Sequence, residues 1–109
     1  MARKAVEVAS DKQANDILML DIRKVSGFAD YFVICTGETE RQMKAICEEI
    51  DAVLAKEGIP LHRREGLANS GWVLLDFGGV IIHVFAPKER EYYQLDKLWS
   101  KATPVLRIH

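Results

Sequence analysis

Hydrophobic and polar positions are patterned most plainly late in the chain. Residues 72–77 (WVLLDF) and 80–85 (VIIHVF) are strand-like runs separated only by Gly78-Gly79. A two-glycine link between such runs predicts a tight hairpin, because the turn needs positive φ at its centre. That register sets Phe77 opposite Val80, Leu75 opposite Ile82 and Val73 opposite Val84, a face wholly aliphatic apart from Phe77. The other face pairs Asp76 with Ile81, Leu74 with His83 and Trp72 with Phe85. It mixes large apolar groups with a carboxylate and an imidazole, both costly to bury unpaired. Two readings stand side by side. Asp76 and His83, diagonal across the hairpin, satisfy each other in an ordinary sheet face, or the face is a sticky surface with polar anchors for another macromolecule.

Ala86-Pro87 stops the second strand, and helical spacing follows over residues 88–101. Tyr92, Leu95, Leu98 and Trp99 fall on one side and Tyr93 lies off that stripe. Earlier in the chain, residues 3–14 carry a thin helical pattern. Residues 17–23 read as a strand with Leu18, Leu20 and Ile22 on one face and Ile17, Met19, Asp21 and Arg23 on the other. A second strand covers 30–36 and ends at Gly37. Thr39 and Gln42 have capping-box spacing ahead of the clearest amphipathic helix, whose stripe is Met43, Ile46, Cys47, Ile50, Val53 and Leu54. Gly58 and Pro60 end it. Residues 61–65 predict a short, charged edge strand and 66–71 a loop, while the tail 103–109 is expected to fray. The order helix, two strands, helix, three strands, helix predicts an α/β single domain over 1–109, with a mixed five-stranded sheet and about three helices. The pattern leaves open which sheet face the helices cover.

Composition narrows the partners. With 109 residues, 49% hydrophobic and 28% charged, the chain suits one modest core. Fifteen basic against sixteen acidic residues leave a net charge near −1, without the basic excess that phosphate-driven binding favours. The only local basic cluster is His62, Arg63 and Arg64, followed directly by Glu65 and read as a solvated edge. No apolar run reaches membrane-spanning length and the start carries no leader pattern, so a cytoplasmic location is expected. Cys35 and Cys47 lack metal-ligand spacing and read as reduced, packed thiols.

Candidate chemistry is thin. Thr36-Gly37-Glu38-Thr39 runs from strand to helix but lacks the lysine and second glycine of a phosphate loop, and Glu38 would repel phosphate. Two-metal nucleotidyl transfer needs clustered carboxylates, whereas residues 62–65 read HRRE and Asp76 stands alone. Ser70, His83 and Asp76 have no nucleophile elbow, and a Cys35–His83 pair would need an exposed thiol. The expectation is a binding protein with no catalytic residues, cofactor or metal.

Three blocks carry a family resemblance. Residues 70–99 (SGWVLLDFGGVIIHVFAPKEREYYQLDKLW), 30–42 (DYFVICTGETERQ) and 11–23 (DKQANDILMLDIR) resemble, in order and spacing, the ribosomal silencing factor or Iojap-like family, over about residues 4–100. The resemblance implies a nucleotidyltransferase-like topology and a translational repressor without turnover. It implies binding to the large ribosomal subunit at its fourteenth ribosomal protein, where occupancy obstructs the small subunit when nutrients are scarce. It also implies a homodimer off the ribosome. The expected partner-binding residues are Trp72, Leu74, Asp76, His83 and Phe85 from the mixed face, with Tyr92, Tyr93 and Trp99 from the last helix. Trp99 and Leu95 equally suit simple packing of that helix onto the sheet. The competing functions are a nucleotide-binding enzyme of the nucleotidyltransferase fold, or an RNA-binding module built on Arg63 and Arg64, with little direct nucleic-acid contact expected.

Overall fold

The hairpin and the capped helix form the centre of two layers. In the computed structural model, which describes residues 1–108, the order is α1 (Ala2–Asp11), β1 (Asn15–Asp21), β2 (Tyr31–Thr36), α2 (Glu40–Lys56), β3 (Arg63–Glu65), β4 (Trp72–Asp76), β5 (Val80–Phe85), α3 (Pro87–Tyr93), α4 (Leu95–Leu98) and β6 (Thr103–Ile108). The strands lie β3-β4-β5-β2-β1-β6, with β2 and β5 parallel and every other neighbour antiparallel. The fold is thus a mixed α/β domain whose sheet has six strands.

The glycine hairpin has the predicted register, Trp72 facing Phe85, Leu74 facing His83 and Asp76 facing Ile81. Only the first turn glycine takes positive φ (Gly78, 90°), the pattern of a type II′ rather than a type I′ turn. The aliphatic face lies under α1 and α2: Val73, Leu75, Val80, Ile82 and Val84 share one core with Met43, Ile46, Ile50 and Leu54. Thr39 caps α2 by accepting from the Gln42 amide at 3.0 Å, worth about 1 kcal/mol. The Gln42 side chain does not close the box on Thr39. Its oxygen accepts from the Glu38 amide (2.7 Å), and its nitrogen donates to the carbonyls of Lys12 and Gln13, tying α1 to α2. At the other end Gly58 adopts φ 80°, and the amides of Gly58 and Ile59 close a Schellman motif on Ala55 and Leu54.

Two predicted elements change. The expected frayed tail forms β6 from residues 103 to 108 and pairs with β1 at the sheet edge, while His109 lies outside the described residues. Its signal was hidden because Pro104 punctuates it and almost all its side chains are exposed, so burial leaves no period of two. Proline is tolerated on such an edge. The expected 88–101 helix breaks at Gln94, which takes the left-handed conformation at φ 47°. The break turns Leu95 into the second core, beside Leu18, Leu20, Ile22, Phe32 and Phe85, and leaves Tyr92 and Leu98 in solvent.

Candidate protein-binding face

The sheet face opposite α1 and α2 is covered only in part, by the segment that begins at α3. Alternation along β4 and β5 brings Trp72, Leu74, His83 and Phe85 to this face, and β2 adds Phe32 and Ile34 through its parallel pairing with β5. The aromatic rings there form a chain. Tyr92 meets Tyr93 edge-on (centroids 5.0 Å apart), Tyr93 meets Trp72 (4.6 Å), and Trp72 stacks on Phe85 (4.9 Å). His83 stands against Phe32 (4.8 Å), Phe32 against Trp99 (5.0 Å), and Trp99 against Phe28 (6.0 Å). Such pairs prefer tilted or offset geometry and add to the burial of each ring.

The middle of this chain is sealed and its ends are open. His83 is 4% exposed and Phe85 is 0% exposed, so neither offers a partner any surface, contrary to the expectation that both are partner-binding residues. They lie beneath Trp72, Tyr93 and their neighbours and serve as floor. Trp72, Leu74 and Trp99 are half-buried, whereas Tyr92 (79%) and Tyr93 project outward at one end and Phe28 (61%) at the other. Trp99 packs into the second core with Phe32, the packing alternative raised for it, while keeping one side accessible. A shallow groove of about 250 Å³, lined by Glu65, Gly66, Trp72 and Leu74, runs beside the tyrosine end.

Asp76 and His83 do not serve each other. The Asp76 carboxylate accepts from the Gly78 amide at 2.8 Å and so braces the hairpin turn. His83 Nδ1 instead accepts from Trp72 Nε1 at 3.2 Å, which places the imidazole proton on Nε2. Among the described residues that Nε2 is buried without a hydrogen-bond partner. Burial pushes the imidazole down to about 4, so the ring is neutral at pH 7. Ser70 donates its hydroxyl to the Leu67 carbonyl (2.6 Å), so Ser70, Asp76 and His83 are each engaged elsewhere rather than with one another. Both thiols are buried, which pushes Cys35 up to about 12 and Cys47 up to about 11.

What holds the tyrosine end in place is an ion network not anticipated from sequence. Arg90, buried on α3, donates to the Asp16 carbonyl (2.9 Å) and to Thr36 Oγ1 (3.0 Å), and pairs with Asp96 at 3.4 Å. Arg107 of β6 bridges Asp16 (2.9 Å) and Asp96 (3.2 Å). Burial pushes the Asp96 carboxyl up, but its own amide together with Arg90 and Arg107 outweighs that and holds it below the usual range. The sheet order brings residues 16, 36 and 107 together and the bend at Gln94 brings Asp96 back to Arg90, so no local motif announces the set. Phe28 and Phe32 were also missed as site residues; their signal is the aromatic enrichment around the 30–36 strand.

Comparison with known proteins gives this face its context. The family described as "Ribosomal silencing factor during starvation" matches residues 1–108. This chain belongs to the ribosomal silencing factor family. The ribosomal silencing factor of Bacillus subtilis is 45% identical over 98 residues, covering 90% of this chain and 83% of that protein. The ribosomal silencing factor of Halalkalibacterium halodurans is 43% identical, covering 93% and 86%. A crystal structure of a Chromobacterium violaceum protein superposes with a TM-score of 0.86 at 31% identity, covering 92% of this chain and 87% of that one. As a ribosomal silencing factor family member, the chain is read as a regulator of ribosomes.

Proposed function

We propose that this protein binds the large ribosomal subunit at its fourteenth ribosomal protein and, by occupying the subunit-joining face, keeps the small subunit away and lowers translation when nutrients are limiting. The observation that carries this reading is the open end of the aromatic chain, Trp72, Tyr93 and Tyr92 beside Leu74, on the one sheet face that α1 and α2 leave uncovered. Aromatic anchors on a rigid sheet with a polar rim are the composition of a protein-binding hot spot. The mechanism is steric and stoichiometric. A contact of on the order of 1,200–2,000 Å² in total suffices for a stable block, with no bond made or broken. Trp72, Leu74, Tyr92 and Tyr93 make the contact; Asp76, His83 and Phe85 support it from beneath or beside; Trp99 and Phe28 extend it at the far end. Off the ribosome, in the cytoplasm, the same apolar end pairs with a second copy of the chain, which hides it from solvent.

The test is direct. Tagged protein run through a sucrose gradient with cell extract should travel with free large subunits and be absent from joined ribosomes, and added protein should lower the joined fraction. Sedimentation of the free protein tests the dimer. Weak dependence of binding on salt favours the ribosomal-protein contact over RNA phosphates, which impose a steep one.

A further inference from the structure

The imidazole of His83 is an odd occupant of its site. It is 4% exposed, it sits among Trp72, Phe32 and Phe85, and its Nε2 has no partner among the described residues. A buried polar atom left unpaired destabilises a fold, and a phenyl ring of similar shape would avoid the loss. The one use the structure makes of this side chain's polarity is the acceptor it offers to the indole of Trp72.

We propose that His83 is a positioning and specificity-determining residue: it takes up the Trp72 N–H, fixes the indole in one orientation, and makes Trp72 a purely apolar anchor. The inference rests on the assignment of Trp72 to the ribosomal contact. The hydrogen bond acts with the flanking rings. Tyr93 packs against the indole at 4.6 Å and Phe85 at 4.9 Å, contacts between ring faces and edges that give its N–H no acceptor. The bond to Nδ1 adds the one directional contact, which ties the indole nitrogen to the sheet. Holding a side chain in its bound pose reduces the ordering cost of association. It also specifies the partner's chemistry. With its N–H satisfied within this chain, the indole has only ring carbon to present, so the matching pocket is lined by aliphatic carbon and carries no acceptor for it. A pocket built around a buried carbonyl or carboxylate would meet no donor there and is selected against.

The experiment compares the full chain with His83→Phe, His83→Asn and Trp72→Ala, using purified large ribosomal subunits for affinity, thermal melting for stability, and the indole N–H resonance of Trp72 for the hydrogen bond. His83→Phe keeps the ring and removes the acceptor. It should melt at the same temperature or higher, shift the indole resonance toward its free position, and bind about tenfold more weakly. His83→Asn places an oxygen close to where Nδ1 stood and should keep both the resonance and the affinity within about threefold. A purely structural role predicts the opposite coupling, in which affinity follows stability. His83→Phe binding as tightly as the unaltered chain, while Trp72→Ala is weak, overturns the positioning role and leaves the site standing. Trp72→Ala binding normally overturns the site and this inference with it. Should His83→Phe fail to fold, His83→Asn decides: an unchanged resonance with affinity lost more than tenfold overturns the proposal.

Discussion

Lowering the pH should unfold this protein partly through one imidazole. His83 is neutral in the fold because burial pushes it down to about 4, against 6.5 when free. Between those values the unfolded chain binds a proton that the native chain refuses, so stability falls as pH falls through that window and is level on either side of it. Among the described residues no charged partner opposes the effect, since the side chain sits against Trp72, Phe32 and Phe85. Taking both values, the linkage from pH 7 to pH 4.5 amounts to about 2 kcal/mol, a sizeable share of a stability of roughly 5–15 kcal/mol. The assay is urea unfolding of the unaltered chain and of His83→Phe at both pH values, with the slope against urea checked for constancy. Carboxylates titrate in both proteins and cancel in the comparison. The His83→Phe protein should lose about 2 kcal/mol less on acidification. Equal losses in the two proteins would refute the burial argument and imply that water or a rearrangement reaches the ring.

Further outcomes follow from the same geometry. Arg90→Met removes three hydrogen bonds from a buried guanidinium and its pairing with the Asp16 and Asp96 carboxylates; with Arg107 still bridging the two carboxylates, calorimetry should find a loss of about 3 kcal/mol, or roughly 15 °C in Tm. Cys35 and Cys47, with thiols pushed up to about 12 and 11 by burial, should resist a thiol reagent at pH 8 until denaturant is added, and prompt labelling of the native protein would contradict their packing. Gly78→Ala forces a Cβ into a left-handed turn and within 3.0 Å of the His62 ring, so urea unfolding should find it destabilised by about 1 kcal/mol or more.

Much of this architecture can be read from local pattern, and the failures share one cause. The β4–β5 register follows from a two-glycine turn and strict alternation, and the Thr39 cap and Gly58 terminus bracket α2 by nearest-neighbour chemistry. Where a distant group decides the outcome, local pattern misleads. Tyr92, Leu95, Leu98 and Trp99 keep helical spacing, yet the chain bends at Gln94 because Arg90 is drawn to Asp16 and Thr36 while Leu95 fills the second core. β6 has almost no buried side chains of its own and exists because β1 leaves an edge to be paired. Asp76 seemed suited to His83, but the Gly78 amide two residues away reaches it first. The candidate site was legible as a face and misjudged in depth. Alternation identified which side chains share that side of the sheet, but not that Trp72 itself would lie over His83 and Phe85, with Tyr93 beside it, leaving Trp72 half-buried and Tyr92 and Tyr93 exposed.

In the proposed mode of action, the tyrosine end of this face holds the large subunit. The most direct measurement is the affinity of Trp72→Ala for purified large ribosomal subunits, with folding verified by thermal melting. Binding should weaken by about 2 kcal/mol, or about thirtyfold, and the protein should disappear from the large-subunit peak of a gradient. A folded Trp72→Ala protein that binds large subunits as tightly as the unaltered chain would contradict it.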